Sequence, residues 1–248
     1  CWFTVCDLRA GYYQVALAPE DRPKTAFISH RGLHQYNVFP MGVSNAPSTF
    51  QRLMDVMLNG LTLQICLAYL DDVVVFSRNL EDHLGRLRQV FERLEMAGLK
   101  LKPSKCNIFQ RRVSFLGHVV TDEGISTDPQ KIQAVEEWPV PMCVRDVRAF
   151  IGLASYYRRF VKGFAEIAAP LHGLVKKNAR FKWEDEHQES FERLKRALVE
   201  APILVTPDDE HEYILDTDAS DVSMGAVLSL VIDGQEHVVA YFSRVFTK

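Results

Sequence analysis

Two short runs of apolar β-formers, 65–68 and 73–76, flank Tyr69-Leu70-Asp71-Asp72. Apolar run, polar turn and apolar run predict a β-hairpin with two adjacent carboxylates at its tip. Upstream, 2–6 is β-rich and ends at Asp7, so an acid stands where a strand gives way to a turn. A strand-like stretch at 34–38 precedes a helix running from Asn45 to about Asn59-Gly60. Asn45 is its N-cap, Pro47 lies in its first turn, and Phe50, Leu53, Met54, Met57 and Leu58 recur at helical spacing. Residues 79–97 predict another helix, with Leu80, Leu84, Leu87, Val90, Phe91 and Leu94 as its apolar stripe, His83 on the solvent side and Gly98 closing it. Residues 99–106 alternate like a strand, and 113–120 opens a second hairpin that turns at Asp122 to Gly124.

The second half of the chain is more helical. A helix begins near Asp128-Pro129 and is closed by Trp138-Pro139-Val140-Pro141, where two prolines mark a domain boundary. In 144–161, Val147, Phe150, Ile151, Ala154 and Tyr157 face inward, whereas Arg145, Arg148, Arg158 and Arg159 do not. Further helices are predicted over 167–177 and 186–199. Strands follow at 212–220, 225–229 and 237–242, the last two joined across Asp233-Gly234.

Composition changes this picture little. With 248 residues, 47% hydrophobic and 25% charged, the chain has material for one large or two small globular domains. No apolar run approaches membrane length, no signal peptide is visible, and the first residue is not Met, so a piece of a longer protein is expected. Cys1, Cys6, Cys66, Cys106 and Cys143 lack CxxC spacing and favour reduced thiols over disulfides or zinc. Charge is informative: residues 1–183 hold 24 Lys and Arg against 17 Asp and Glu, whereas 184–248 hold 5 against 15. A basic first part suits contact with phosphates, although basic residues also solubilise.

The chemistry lies in the acids. Asp71 and Asp72 repel unless a cation lies between them, and hard oxygen ligands suit Mg²⁺. A solvated turn is the alternative. Asp7 is the candidate third carboxylate, because a two-ion site needs one more acid from elsewhere. Asp218, within TDAS on a predicted strand, is a separate acid.

Six blocks then occur in order: FTVCDLRAGYYQVAL, PKTAF, FPMGVSNAPSTFQRLMD, YLDD, GLKLKPSKC and FLGH. Together they resemble the palm of a reverse transcriptase of the gypsy-type LTR retrotransposon class, relatives of retroviral Pol. The resemblance is dense to about Gly117 and looser to the end. It implies an α+β fold: a reverse-transcriptase palm with an antiparallel sheet and helices on one face (1–138, fingers truncated), helical thumb and connection (139–180), and the first part of an RNase H-like α/β domain (181–248).

The activity it implies is RNA-directed DNA polymerisation, with two Mg²⁺ ions (Mn²⁺ as a substitute) and transfer from dNTP to a primer 3′-OH. Asp7, Asp71 and Asp72 are the implied metal ligands. Lys105 matches the lysine proposed to protonate pyrophosphate; a solvated charge is the other reading. Tyr12 matches the side chain that excludes a 2′-hydroxyl, or is a plain turn aromatic. Gly42, which permits close backbone approach, Pro47 and Phe50 would shape the nucleotide pocket, and Tyr69 would lie near the primer end. Met41 stands where retroviral enzymes carry glutamine. Phe115, Leu116 and Gly117 resemble the primer grip, or form an ordinary apolar hairpin. Asp218 resembles the first RNase H metal carboxylate, whose partners would lie past Lys248; a non-catalytic connection domain is the second reading there.

The implied partners are an RNA or DNA template with its primer, dNTPs, and the protease and integrase of the same Pol polyprotein in cis, with no membrane. The implied location is the cytoplasm, in a virus-like particle, with nuclear entry. Without fingers, the stretch itself is expected to show little polymerase activity. Two rivals exist. A nucleotide cyclase lacks support because Tyr-Leu replaces its Gly-Gly before the second acid, and a nucleic-acid-binding remnant of a decayed or domesticated element is opposed by the presence of all three acids.

Overall fold

A computed structural model describes residues 1–177 and 179–246. Asn178, Thr247 and Lys248, which fall in the thumb and RNase H-like ranges above, lie outside the described residues. The chain divides into two compact units, residues 1–115 and 116–248.

In the first unit, β1 (Trp2–Asp7) is followed by a small hairpin, β2 (Phe27–Ser29) with β3 (Gly32–His34), and by helix α1 (Ala46–Met57). Strands β4 (Cys66–Tyr69) and β5 (Asp72–Ser77) form the hairpin expected from the apolar runs, and α2 (Leu80–Met96), β6 (Asn107–Gln110) and β7 (Val113–Phe115) complete the unit. The main sheet is antiparallel in the order β4-β5-β1-β6. Cys6, Leu8, Cys66, Val73 and Val75 pack with Phe50, Met54 and Leu58 of the α1 region and with Leu87, Val90 and Leu94 of α2 in one core. Each such aliphatic side chain removed from water contributes about 1.5–3 kcal/mol.

Two expectations change here. His83 is not on the solvent side of its helix: it is 0% exposed, hydrogen-bonded through Nε2 to Thr4 Oγ1 at 2.8 Å and through Nδ1 to Ser77 Oγ at 3.0 Å. The buried stripe of α2 is accordingly His83, Leu87, Val90 and Leu94, while Leu80, Leu84 and Phe91 are exposed. Polar partners on β1 and β5 make a histidine acceptable where sequence periodicity favours leucine. Residues 99–106 are not a continuous strand either. Leu101 makes one bridge to Leu8, Pro103–Lys105 form a 3-10 turn, and the strand begins at Asn107. Pro103 supplies no backbone N–H and sets φ for such a turn. At Gly42 a Cβ would meet nothing within 4 Å, and the φ of +91° there favours glycine.

The second unit holds a hairpin of β8 (His118–Val120) and β9 (Ile125–Thr127), then α3 (Pro129–Glu136), α4 (Val144–Tyr156), α5 (Phe164–Leu174) and α6 (Asp185–Val199). A meander of β10 (Glu212–Ala219), β11 (Ser223–Ile232) and β12 (Gln235–Val245) follows. Asp128 caps α3 by accepting from Gln130 N, and Asp233-Gly234, both at positive φ, make the two-residue turn between β11 and β12. The inward face read from the sequence of α4 is buried throughout: Val147, Phe150, Ile151, Ala154 and Tyr157 join Val135, Phe191, Leu194, Leu198 and Leu204 in one core. That core runs unbroken past Trp138, which packs edge-on to Phe150 at 6.0 Å, so the Pro139–Pro141 run is a connector within a shared core.

Candidate active site

The register of the first sheet assembles the acids. Asp7, last on β1, is paired with Asp72, first on β5. Leu8 N donates to Asp71 O at 3.0 Å, so the hairpin tip is joined to the chain leaving β1. Residues 64 positions apart in sequence thus present Asp7, Asp71 and Asp72 at one end of one sheet. Burial, and then the negative charges of Asp71 and Asp7, raise the pKa of Asp72, with Lys105 opposing. Lys105 Nζ donates to Asp7 Oδ2 at 2.9 Å, and that bond and charge raise the lysine's own pKa. The 3-10 turn that interrupts the expected strand is what swings Lys105 onto Asp7.

The tip is held in an unusual conformation. Leu70 has φ of +53°, costly for a branched side chain. Gln51 of α1 holds it there, its Oε1 accepting from Leu70 N at 2.7 Å and its Nε2 donating to Ala68 O at 3.3 Å and Asp55 Oδ1 at 2.8 Å. Gly11 lies beneath: a Cβ on it would meet Phe50 Cζ at 2.9 Å and the Cβ of Asp71 at 3.2 Å. Gln14 bridges the same loop to the strand region beyond α2, donating to Arg9 O and Lys100 O and accepting from Lys100 N. Sequence reasoning assigned no role to Gly11, Gln14 or Gln51. The signal for Gln51 was a polar residue beside buried Phe50 in a helix otherwise read for its apolar face.

Of the other candidates, Tyr12 packs edge-on to Phe50 with ring centroids 5.5 Å apart. Phe50 is therefore a core residue one contact away from the acids. Tyr69 pairs with Asp72 and is 55% exposed, and Gly42 and Pro47 are exposed. In the second unit Leu116 and Gly117 take positive φ, and their carbonyls accept from the hydroxyls of Tyr156 and Tyr157, the latter at 2.6 Å. Phe115 ends β7 in the first unit. Asp218, on β10 opposite Gly225, lines a cavity of about 320 Å³ with Lys162, Glu166, Ser220 and Ser223.

The acid cluster fits divalent cations by donor chemistry: three hard carboxylates, one of them resisting ionisation beside the other two. Their oxygens do not all lie within 4.8 Å of one another; among the described residues the trio that does is Glu184, Glu186 and His187. That trio is a helix cap. Glu184 and His187 form a reciprocal capping box at the start of α6, and Lys182 pairs with Glu184.

An antiparallel sheet that gathers a strand-end acid and a two-acid hairpin tip over two helices defines the palm of a nucleic-acid polymerase. Residues 1–120 match the family described as reverse transcriptase (RNA-dependent DNA polymerase), and residues 183–248 match the RNase H-like domain found in reverse transcriptase. The retrovirus-related Pol polyprotein from transposon 297 of Drosophila melanogaster is 40% identical over 98% of this chain and 23% of its own length. That from transposon gypsy of the same organism is 39% identical over 92% and 23%. A foamy viral protease-reverse transcriptase solved with double-stranded DNA is 25% identical, with a TM-score of 0.88 over 99% of this chain and 43% of that one. A second, solved with an RNA/DNA hybrid, has a TM-score of 0.85. Residues 1–120 thus belong to the reverse transcriptase family and residues 183–248 to the RNase H-like domains found in reverse transcriptase, and the chain, similar over nearly all of its length to retrotransposon Pol polyproteins, spans about a quarter of the length of those two Drosophila relatives.

Proposed function

We propose that this chain supplies the polymerising centre of an RNA-directed DNA polymerase, with Asp7, Asp71 and Asp72 holding two Mg²⁺ ions. Mn²⁺ would substitute, sharing the preference for oxygen ligands. The observation that carries the reading is the pairing of Asp7 with Asp72 and the Leu8–Asp71 bond, which bring three acids to one sheet end. Bound divalent cations would lower the pKa of a primer 3′-hydroxyl and neutralise charge on the leaving pyrophosphate. The protein's part is positional. The strained Leu70 turn, held by Gln51 and seated on Gly11, presents Asp71. Lys105, which donates to Asp7, would give a proton to the leaving group. Tyr12, braced on Phe50, would reject a ribose 2′-hydroxyl by bulk.

The parts divide as 1–138 palm, 139–180 thumb and 181–248 RNase H-like, in roles rather than in separate cores. Leu116 and Gly117, fixed by Tyr156 and Tyr157, would with Phe115 grip the primer. Asp218 would be an RNase H ligand in the full polyprotein. The substrates are a primed RNA or DNA template and dNTPs; the protease and integrase accompany in cis. The site of action is a cytoplasmic virus-like particle, with nuclear entry. Among the described residues no helix is long and apolar enough to cross a membrane. Primer extension on an RNA template by the parent polyprotein tests the reading. Metal-dependent dNTP incorporation, abolished by Asp71→Asn, is expected; an unchanged rate in that variant would overturn it.

A further inference from the structure

The loop that carries Lys105 is fastened to Asp7 at two points. Lys102 N donates to Asp7 O at 2.8 Å, which ties the base of the Pro103–Lys105 turn to the acid's own carbonyl. Lys105 N donates back to Lys102 O at 2.9 Å, and Lys105 Nζ reaches Asp7 Oδ2 at 2.9 Å. The two ends of this ion pair differ in exposure: the lysine side chain is 56% exposed and that of Asp7 17%. An ammonium so placed returns to water at little cost, whereas the carboxylate stays at the sheet end with Asp71 and Asp72. The Asp7 hydrogen bond and charge, and after them the charges of Asp71 and Asp72, hold the lysine's pKa above its ordinary value, so it is a cation at neutral pH.

That cation sits on an oxygen that suits a metal. Mg²⁺ takes carboxylate oxygens at about 2.0–2.1 Å. With an ammonium 2.9 Å from the same oxygen, the two cations would stand no more than about 5 Å apart. This is inside the Debye length of about 8 Å at physiological salt, so their repulsion is little screened. We propose that Lys105 is a built-in competitor for the divalent cation: its ammonium neutralises Asp7 in the metal-free chain, and the cluster takes a metal ion as that ammonium swings off. The lysine thereby sets the cluster's affinity for metal, separately from any proton it gives to a leaving group. Without it, three carboxylates would share one sheet end with no cation on Asp7, and their repulsion would lower the stability of the metal-free fold. A bound divalent ion would restore it.

The proposal rests on the reading of Asp7, Asp71 and Asp72 as metal ligands, and one titration separates the two. The 248-residue chain is titrated with Mn²⁺ alone, free Mn²⁺ being read by electron paramagnetic resonance, and unfolding midpoints are taken with and without the ion. Uptake lost in Asp71→Asn is the cluster's share. Lys105→Gln is expected to tighten that share about three- to fivefold, the scale of a partly exposed ion pair. The same variant should unfold earlier than the wild type without metal and level with it at saturating Mn²⁺. Lys105→Arg, which keeps a cation on the loop, should bind Mn²⁺ no more tightly than the wild type. Lys102→Gln removes an equal charge at the start of the same turn, leaves the Asp7–Lys105 bond in place, and should stay within about twofold of the wild type. Binding by Lys105→Gln no tighter than by Lys102→Gln overturns the proposal and leaves the ligand assignment standing. Uptake that Asp71→Asn does not reduce overturns both.

Discussion

At the scale of single residues, the sequence offered the three acids as a candidate site, and the strand register shows how they come together. Asp71 and Asp72 announce themselves by sitting side by side in a turn without glycine. Asp7 stands out at the end of a β-rich run, and the pairing of β1 with β5 sets it opposite Asp72. What supports them was silent in the sequence, because a glycine or glutamine has no chemistry of its own until something is placed against it. Gly11→Ala makes this concrete: its new Cβ would stand 2.9 Å from Phe50 and 3.2 Å from Asp71. Loss of about 1–3 kcal/mol in urea unfolding is expected from such overpacking, together with impaired extension by the parent. Gln51→Ala removes the acceptor for Leu70 N and should cost about 1–3 kcal/mol. Its diagnostic is a fall in kcat exceeding that of Asp55→Ala, which removes only the outer partner of Gln51.

At the scale of elements, periodicity located the helices well and misjudged which face of α2 is buried. A stripe of leucines suggested Leu80 and Leu84; the sheet instead offers two hydroxyls, Thr4 and Ser77, and these select His83. Burial, aided by Arg86, lowers the pKa of His83. The unfolded chain therefore takes up a proton near pH 6.5, the ordinary histidine value, that the folded chain refuses. Stability from this group is present above that pH and declines as pH falls through it. Denaturant midpoints at pH 7.5 and 5.5 should drop more in the wild type than in His83→Gln, and equal drops would refute the assignment. On α4, Tyr157→Phe should cost about 1–3 kcal/mol by leaving the Gly117 carbonyl without its donor, whereas Tyr156→Phe at a half-exposed position should cost less.

At the scale of the whole molecule, charge and core divide the chain differently. The basic excess of residues 1–183 gives way to an acidic excess in 184–248. Packing ignores it: Phe191, Leu194, Leu198 and Leu204 lie in the same core as Val147, Phe150 and Leu171. A chain ended at residue 180 should therefore lose the near-ultraviolet circular dichroism of its second unit, while the first unit keeps its hydrogen-exchange protection. Retention of that signal would show that the helices before residue 180 form a core alone.

Local pattern by itself determined the elements and the chemistry on offer: the Asp-Asp hairpin, the Asn79 and Asp128 caps, the Asp233-Gly234 turn and the inward face of α4 all depend on neighbours a few residues away. Tertiary structure alone decided which acids meet, that Lys105 rests on Asp7, that His83 is buried, and that one core spans the proline-rich connector. These depend on contacts between residues far apart in sequence, such as Thr4 and His83, which no local spacing encodes and which the register of the folded sheet sets.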